Sequence, residues 1–394
     1  MYYIPYNNMK IQNNKVKTTS VIVTALLIVL TVAIVLPNVN AVNDSLSSEC
    51  SQKISDAMFT KGKLVDNNTA ISLANRDQKT TSTLNTYHSN KVVVYEGWNI
   101  DKANCDVSLS EVNVGYILAD SNGKIAKTMI VTLDPTMTKV VKVDLQEPKI
   151  YGTNQNWSGY ELAGGSPPNT LTQAQVTYSI PAVSQPTTHN NYHCIPHTSP
   201  QTNGCDVAPW VGLEGALGGG TQSNPQLAQD GTDGVITCTG IGSCTTSYFL
   251  WYEVLPDSAF TCNNANIRSG DFITATVTNA GSSNYNLSIQ DSTASYGCST
   301  TNYHDSHMST PIYADFIDER ANTSSGPREI AKYGSNTMTG SITYGGSTFQ
   351  ITSGMVQSTD TMQNTNINGT WTNISLGSIS SSAFTHTWST SDGT

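Results

Sequence analysis

Positive charge is what this sequence has least of, and nearly all of it lies before residue 150. Residues 151–394 contain only Arg268, Arg320, Arg328 and Lys332 against 16 Asp and Glu, a net of −12, whereas residues 1–150 carry 15 basic and 13 acidic residues, a net of +2. Acid unfolds proteins partly because carboxylates neutralise while the remaining cations repel one another. A region with so few cations escapes most of that repulsion and reads as built for low pH, although an ordinary acidic extracellular protein would show the same balance. Charged residues are 12% of the chain, about half of the ~25% usual in globular domains. The chain is nevertheless not of the disordered class, because 37% is apolar and the polarity comes from neutral Ser, Thr, Asn and Gly.

Other absences remove whole mechanisms. There is no HExxH, no GxSxG elbow and no Asp-Thr/Ser-Gly pair, which excludes the common zinc, serine and aspartic hydrolase signatures. No CxxC pair suggests a redox or zinc site. Histidines do gather at His189, His193 and His197 around Cys194, but Cys194 has a near partner in Cys205, so a polar loop is expected and no metal or other cofactor. No apolar run reaches the ~20 residues that span a bilayer. The longest, Val21 to Leu36, is interrupted by Thr24 and Thr31, follows Lys10, Lys15 and Lys17, and precedes Val39 and Ala41. That pattern reads as an export signal over 1–41 cleaved after Ala41, with an uncleaved anchor as the other reading and the only membrane contact expected. Either way the remainder leaves the cytoplasm, to be secreted or held at the cell surface.

What is present agrees with export. Eight cysteines fall into neighbouring pairs, Cys50 with Cys105, Cys194 with Cys205, Cys238 with Cys244 and Cys262 with Cys298, which reads as four disulfides, although spacing alone does not prove the pairing. Asn-x-Ser/Thr acceptors stand at Asn43, Asn67, Asn156, Asn286, Asn322, Asn368 and Asn373. Residues 42–150 begin with a helix expected around Ser48 to Met58. Strand-like runs follow at Val92 to Trp98, Val112 to Leu118, Ile125 to Leu133 and Val140 to Leu145, the middle two flanking the hairpin signal Asn122-Gly123. This small α+β segment is expected to be a propeptide, with a permanently attached N-terminal domain as the alternative. From 151 to 394 short alternating stretches such as Val176, Tyr178 and Ile180 are separated by Gly, Asn, Ser and Pro. The pattern is that of an all-β sandwich or barrel.

Five strings in the 151–394 region then occur in order: Asn156-Trp157-Ser158-Gly159-Tyr160, Trp210-Val211-Gly212-Leu213-Glu214-Gly215, Leu227-Ala228-Gln229-Asp230-Gly231-Thr232-Asp233, Trp251-Tyr252-Glu253-Val254-Leu255-Pro256 and Ala314-Asp315-Phe316-Ile317-Asp318-Glu319-Arg320. Together they resemble the glutamic peptidases, or eqolisins. The resemblance implies a concanavalin A-like antiparallel β-sandwich of the jelly-roll type, acid endopeptidase activity on protein or peptide substrates, and a precursor with its own propeptide. It implies Gln229 and Glu319 as the catalytic pair, with Trp210, Glu214, Asp233, Tyr252 and Glu253 beside the cleft. Two departures from the family pattern are Glu214 where an Asp is usual and Asp230 in place of a Thr.

Residue chemistry is consistent with that pair. Alternate side chains of a strand share a face, so Tyr313, Asp315, Ile317 and Glu319 point one way and Asp318 the other. Peptide hydrolysis needs a base for water, a donor for the oxyanion and an acid for the leaving amine, which a Glu and a Gln can supply together. A carbohydrate-binding or glycoside-hydrolysing sandwich is the competing reading, the latter with Glu253 and Glu319 as its two carboxyls. A monomer is expected, and no nucleic-acid partner.

Overall fold

The computed structural model describes residues 46–390 apart from 124, 147–155, 166–167, 189–190, 193, 195–203, 215–225, 239–242, 263–265, 309, 324–325, 361 and 363–371. Residues 1–41, where an export signal is expected, and His189, His193 and His197 lie outside the described residues. Among the described residues no helix is long and apolar enough to cross a membrane.

Capping side chains start each of the three helices. In α1 (Ser48–Gly62) the hydroxyl of Ser47 accepts from Cys50 N; in α2 (Asn67–Arg76) Asp66 accepts from Asn68 N and Thr69 N; in α3 (Gln78–Leu84) Asp77 accepts from Thr80 N. Only α1 was legible from apolar spacing. The other two bury little more than Ala70, Ala74 and Thr80, so caps rather than an amphipathic stripe delimit them. Four long strands follow: β1 (His88–Asp101), β2 (Asp106–Ala119), β3 (Ile125–Leu133) and β4 (Val140–Gln146). Gly123, at φ 78° in the turn between β2 and β3, supplies the left-handed residue that the Asn-Gly signal requires.

The acidic region continues with β5 (Trp157–Ala163), β6 (Leu171–Ser179), β7 (Thr187–Thr188), β8 (Asn191–Tyr192), β9 (Cys205–Glu214), β10 (Leu227–Cys238), β11 (Cys244–Val254) and β12 (Phe260–Thr261). Next come β13 (Phe272–Gly281), β14 (Asn284–Asp291), β15 (Tyr296–His304), β16 (Tyr313–Glu319), β17 (Asn322–Thr323), β18 (Gly326–Pro327) and β19 (Glu329–Ile330). The last are β20 (Ser335–Tyr344), β21 (Ser347–Gln350), β22 (Val356–Asp360), β23 (Thr372–Leu376) and β24 (Ala383–Thr390).

These strands make two large antiparallel sheets, the expected all-β sandwich. The larger has 12 strands in the order β23-β24-β20-β6-β13-β14-β15-β1-β2-β3-β4, with β21 beside β20. The smaller has eight, β12-β11-β10-β9-β16-β5-β22, with β19 added in parallel to β9. Side chains from both sheets interleave in the interior: Val176, Ile273 and Ile289 from the larger meet Val211, Leu213, Tyr252 and Phe316 from the smaller, all at 2% exposure or less. The N-terminal strands are not a separate layer. β1 hydrogen-bonds β15 in the register Glu96↔Ser299 to Asn99↔Tyr296, and residues Asp44–Thr394 form one compact unit.

Disulfides join Cys50 to Cys105, Cys194 to Cys205, Cys238 to Cys244 and Cys262 to Cys298. These are the four neighbouring pairs of the sequence, and such bonds belong to an oxidising, extracytoplasmic compartment.

Candidate active site

On the eight-stranded sheet, side-chain alternation assigns two different surfaces. Val211, Leu213, Leu250, Tyr252, Ala314 and Phe316 enter the sandwich interior. Their chain neighbours Trp210, Trp251 and Ile317 instead join Trp157, Ala208 and Leu227 in a second apolar cluster on the opposite face. Gln229, Glu253 and Glu319 have the parity of that second face.

Strand register arranges this face in three rows. The first runs Glu161, Asp315, Gly212, Gln229, Glu253 across β5, β16, β9, β10 and β11. The second runs Gly159, Ile317, Trp210, Gly231, Trp251. The third pairs Trp157 with Glu319 and Glu319 with Ala208, and pairs Asp233 with Phe249. One row is carboxylic, the next is indole, and the third holds Glu319.

Trp210 ties the rows together, and two glycines make room for it. A Cβ on Gly212 would lie 3.0 Å from Trp210 Cζ3, and one on Gly231 only 2.6 Å from Trp210 Cβ and 2.2 Å from Pro209 O. No larger residue fits at Gly231 without moving backbone, which explains why both motif strings carry Gly beside the Trp row. From that seat the indole packs edge-on to Trp157 at 5.0 Å between ring centres. Its Nε1–H donates to Glu319 Oε2 at 2.9 Å, a contact that orients the carboxylate and strengthens if it is charged. In the first row Gln229 Nε2 donates to Glu253 Oε2 at 2.7 Å, and Gln229 Oε1 is buried with no hydrogen-bond partner among the described residues.

Gln229 and Glu319 thus share a face, on the strands either side of β9, offset by the four residues from Gly212 to Ala208. No direct hydrogen bond joins them. At ~3.3 Å per residue and ~4.8 Å per strand, an untwisted lattice sets their Cα atoms ~16 Å apart. The Trp210 indole lies between them.

Burial shapes the electrostatics. Asp315 is fully buried and its carboxyl is held well above the usual range, by desolvation first and then by the neighbouring Glu161, Asp360 and Glu214. Behind Glu319, in the interior, Asp318 accepts from Tyr333 OH at 2.9 Å and Asn336 Nδ2 at 2.8 Å and lies 3.3 Å from His386 Nδ1. Desolvation raises its carboxyl, and His386 and the two donors oppose the rise. This cluster pins β16 to β20 and β24, one residue from Glu319.

The remaining expected site residues divide. Trp210, Asp233 and Glu253 have the parity of the Gln229 face. Tyr252 lies in the interior, its ring 5.1 Å from Tyr95 and 5.7 Å from Phe260, because it alternates with Trp251 and Glu253. Glu214 ends β9 at φ 79° and accepts from Ile312 N at 2.9 Å, holding the approach to β16. Sequence reasoning overlooked Trp157 and the Glu161–Asp315 pair. The signal was available, since Trp157, Gly159 and Glu161 alternate on β5 as Asp315, Ile317 and Glu319 do on β16. Among the described residues one group, Cys194, Cys205 and Glu329, has metal-binding proximity, but its sulfurs are joined in a disulfide and offer no thiolate.

A two-sheet antiparallel sandwich with Gln229, Glu253, Glu319 and three Trp on one face of its smaller sheet has the make-up of a glutamic-type hydrolase. The model of the Peptidase A4 family matches residues 155–388, and the chain belongs to that family, the glutamic peptidases or eqolisins; it is an endopeptidase of the glutamic type. Among solved structures it is similar to scytalido-glutamic peptidase with a transition state analog inhibitor, at 19% identity and TM-score 0.43 over 59% of this chain and 98% of that one. It is also similar to aspergilloglutamic peptidase from Aspergillus niger, at 23% identity and TM-score 0.38 over 47% of this chain and 99% of that one. A third is SCP-B, an eqolisin in a complex with the tripeptide Ala-Ile-His, at 20% identity and TM-score 0.36 over 59% and 98%. No curated protein sequence matches the chain.

Proposed function

We propose that the chain is an exported, acid-acting endopeptidase in which Glu319 and Gln229 are the catalytic pair, Glu319 activating a water and Gln229 serving as a hydrogen-bond donor to the substrate. Residues 151–394 form its peptidase domain. The observation that carries this reading is the common face: both groups stand on the indole-lined surface of the smaller sheet, and Trp210 Nε1 orients the Glu319 carboxylate.

In this reading the Glu319 carboxylate accepts a proton from the water as it attacks the peptide carbonyl, then returns it to the leaving nitrogen. The Gln229 NH2 donates to the oxyanion of the tetrahedral intermediate. Glu253 decides where that NH2 points. It accepts one N–H from Nε2 at 2.7 Å, which fixes the amide and leaves its second N–H for substrate. Asp233, on the same face, and Glu214, at the end of β9, support the cleft.

Export rests on the disulfides and the N-terminal apolar segment. Digestion of acid-denatured haemoglobin at about pH 3 to 4, below ordinary carboxyl values, with pepstatin present, tests the proposal. Wild type is expected to digest it and Glu319→Gln to fail. Equal activity of the two proteins, or hydrolysis of a polysaccharide in place of protein, would overturn it.

A further inference from the structure

The segment before residue 150 reads from sequence as a propeptide, to be shed. Its docking is of another kind. β1 is not an edge laid against the peptidase: it continues the larger sheet by pairing with β15. Beyond that seam β1, β2 and β3 cover the interior face of the smaller sheet. Tyr95, Ile117 and Ile130 belong to the same buried cluster as Tyr252, Val254 and Phe260, and Gly115 lies so close to Phe260 that a Cβ would come within 2.3 Å of its ring. Without these strands, Tyr252 and Phe260, at 1% exposure or less, would face water, and the backbone edge of β15 would lose its partner.

Polar contacts at the seam are buried as well. Ser55 Oγ meets Ser288 Oγ at 3.0 Å, and Gln290 Nε2 donates to Ser51 O at 2.9 Å and Ser55 Oγ at 2.7 Å. Trp98 Nε1 donates to Ser299 Oγ at 2.9 Å. Separating such pairs leaves desolvated donors and acceptors unless water replaces them all.

The seam also holds an ion pair and two buried carboxyls. Lys91 pairs with Asp257 and approaches Asp305 at 3.8 Å, with its ammonium 4.3 Å over the Tyr303 ring. This latch is partly exposed, with the Lys91 side chain 27% accessible. Glu96, facing Ser299 and Gly62, is pushed up to about 8 by burial. Glu111, which accepts from Tyr296 OH and feels Lys142, is also raised by burial. A raised carboxyl stabilises docking fully below its unfolded value and loses that contribution as pH climbs through the folded one. Acid thus favours the buried part of the seam.

We propose that residues 46–146 are a permanent subdomain of the working peptidase, bound to the β15 edge and over Phe260, which stays in place in acid even when the chain is cut between 147 and 155. Cutting there would nick the molecule without dismantling it. The contacts named lie on the interior side and the β12 edge of the smaller sheet, opposite the face of Gln229 and Glu319, so retention leaves that face to substrate. The inference rests on the docking alone and not on the assignment of the catalytic pair.

The test uses the full chain carrying Glu319→Gln, with a recognition sequence for a site-specific protease placed within 147–155. After cutting at pH 7, gel filtration is run at pH 7 and pH 4. The two pieces are expected to elute together at both values and to unfold in one transition. Separation at either pH, with the larger piece still folded by circular dichroism, would overturn the proposal and restore a removable prosegment. Gly115→Val is expected to weaken association in the cut protein roughly tenfold, by overpacking against Phe260. Should that variant not accumulate, Trp98→Phe, which deletes only the bond to Ser299, is expected to speed dissociation. Association unchanged by the variant measured would also count against the seam. Self-digestion, seen as masses beyond the two expected, would speak against Glu319 and leave the association result standing.

Discussion

The two faces of the eight-stranded sheet are made by the same strands from alternating residues, yet they do different things. Phe316 and Glu319 are three positions apart on β16; one fills the sandwich interior and the other sits by Trp210 on the far side. Val211 and Trp210 divide in the same way on β9, as do Tyr252 and Glu253 on β11. The interior face is mostly apolar, with Asp230 and Asp318 as buried exceptions, and exchanges contacts with a second sheet, so most of its residues act through packing. The other face mixes indoles with carboxyls and an amide, all buried, so its residues act through orientation and charge. A period-2 chain can therefore separate stability from chemistry within one strand.

The largest expected effect breaks the chemical face alone. Glu319→Gln keeps shape and removes the base, and should lower kcat/KM on acid-denatured haemoglobin by roughly 10³-fold or more while the melting temperature stays near wild type. Phe316→Ala is its counterpart on the other face. It should destabilise the protein by about 3–5 kcal/mol in urea unfolding and leave kcat per folded molecule nearly unchanged. If Phe316→Ala lowered kcat as much as Glu319→Gln without unfolding, the division of labour between faces would be wrong.

Gln229→Ala comes next, with an expected loss of about 10²- to 10³-fold in kcat, the range for removal of one oxyanion donor. Trp210→Phe retains an aromatic ring over Gly212 but cannot donate to Glu319, and should cost about tenfold in kcat, as one hydrogen bond to a charged group would. A drop in melting temperature with unchanged kcat would instead return Trp210 to packing.

The smallest effect concerns pH and both faces together. Asp230 and Asp315 are held well above the ordinary carboxyl range, and Asp291 rises to about 7, in each case by burial first. Because the folded chain binds these protons more tightly than the unfolded one, it is stabilised in acid, and that stability drains away as pH rises from the ordinary carboxyl value through the raised ones. The melting temperature should be highest near pH 4 and lower at pH 8, and Asp315→Asn should flatten the slope by a few degrees, measurable by calorimetry. A melting temperature that rises toward pH 8 would contradict this ordering.

Much of the architecture could be read from the chain before any coordinates. Alternation marked the strands, with Ile125–Leu133 matching its run end to end, the cysteine neighbours paired as spaced, and the parity of Asp315 and Glu319 set them apart from Asp318. The short helices α2 and α3 escaped because their starts depend on single capping carboxylates. Tyr252 was expected beside the cleft on the strength of its motif, though alternation with Glu253 already sent it to the interior.

By itself, then, the sequence determined which residues alternate, which cysteines lie near enough to join, and the ordered strings that carry the family. Those properties are local or nearly so, set by backbone period and loop length. Tertiary structure alone decided that the strands of residues 88–146 complete the larger sheet, that Trp210 spans from Gly212 to Glu319, and that Gln229 rests on Glu253. Each of these depends on which strands become neighbours and in what register. Interior packing chooses that register, because a slip of one residue would exchange the two faces.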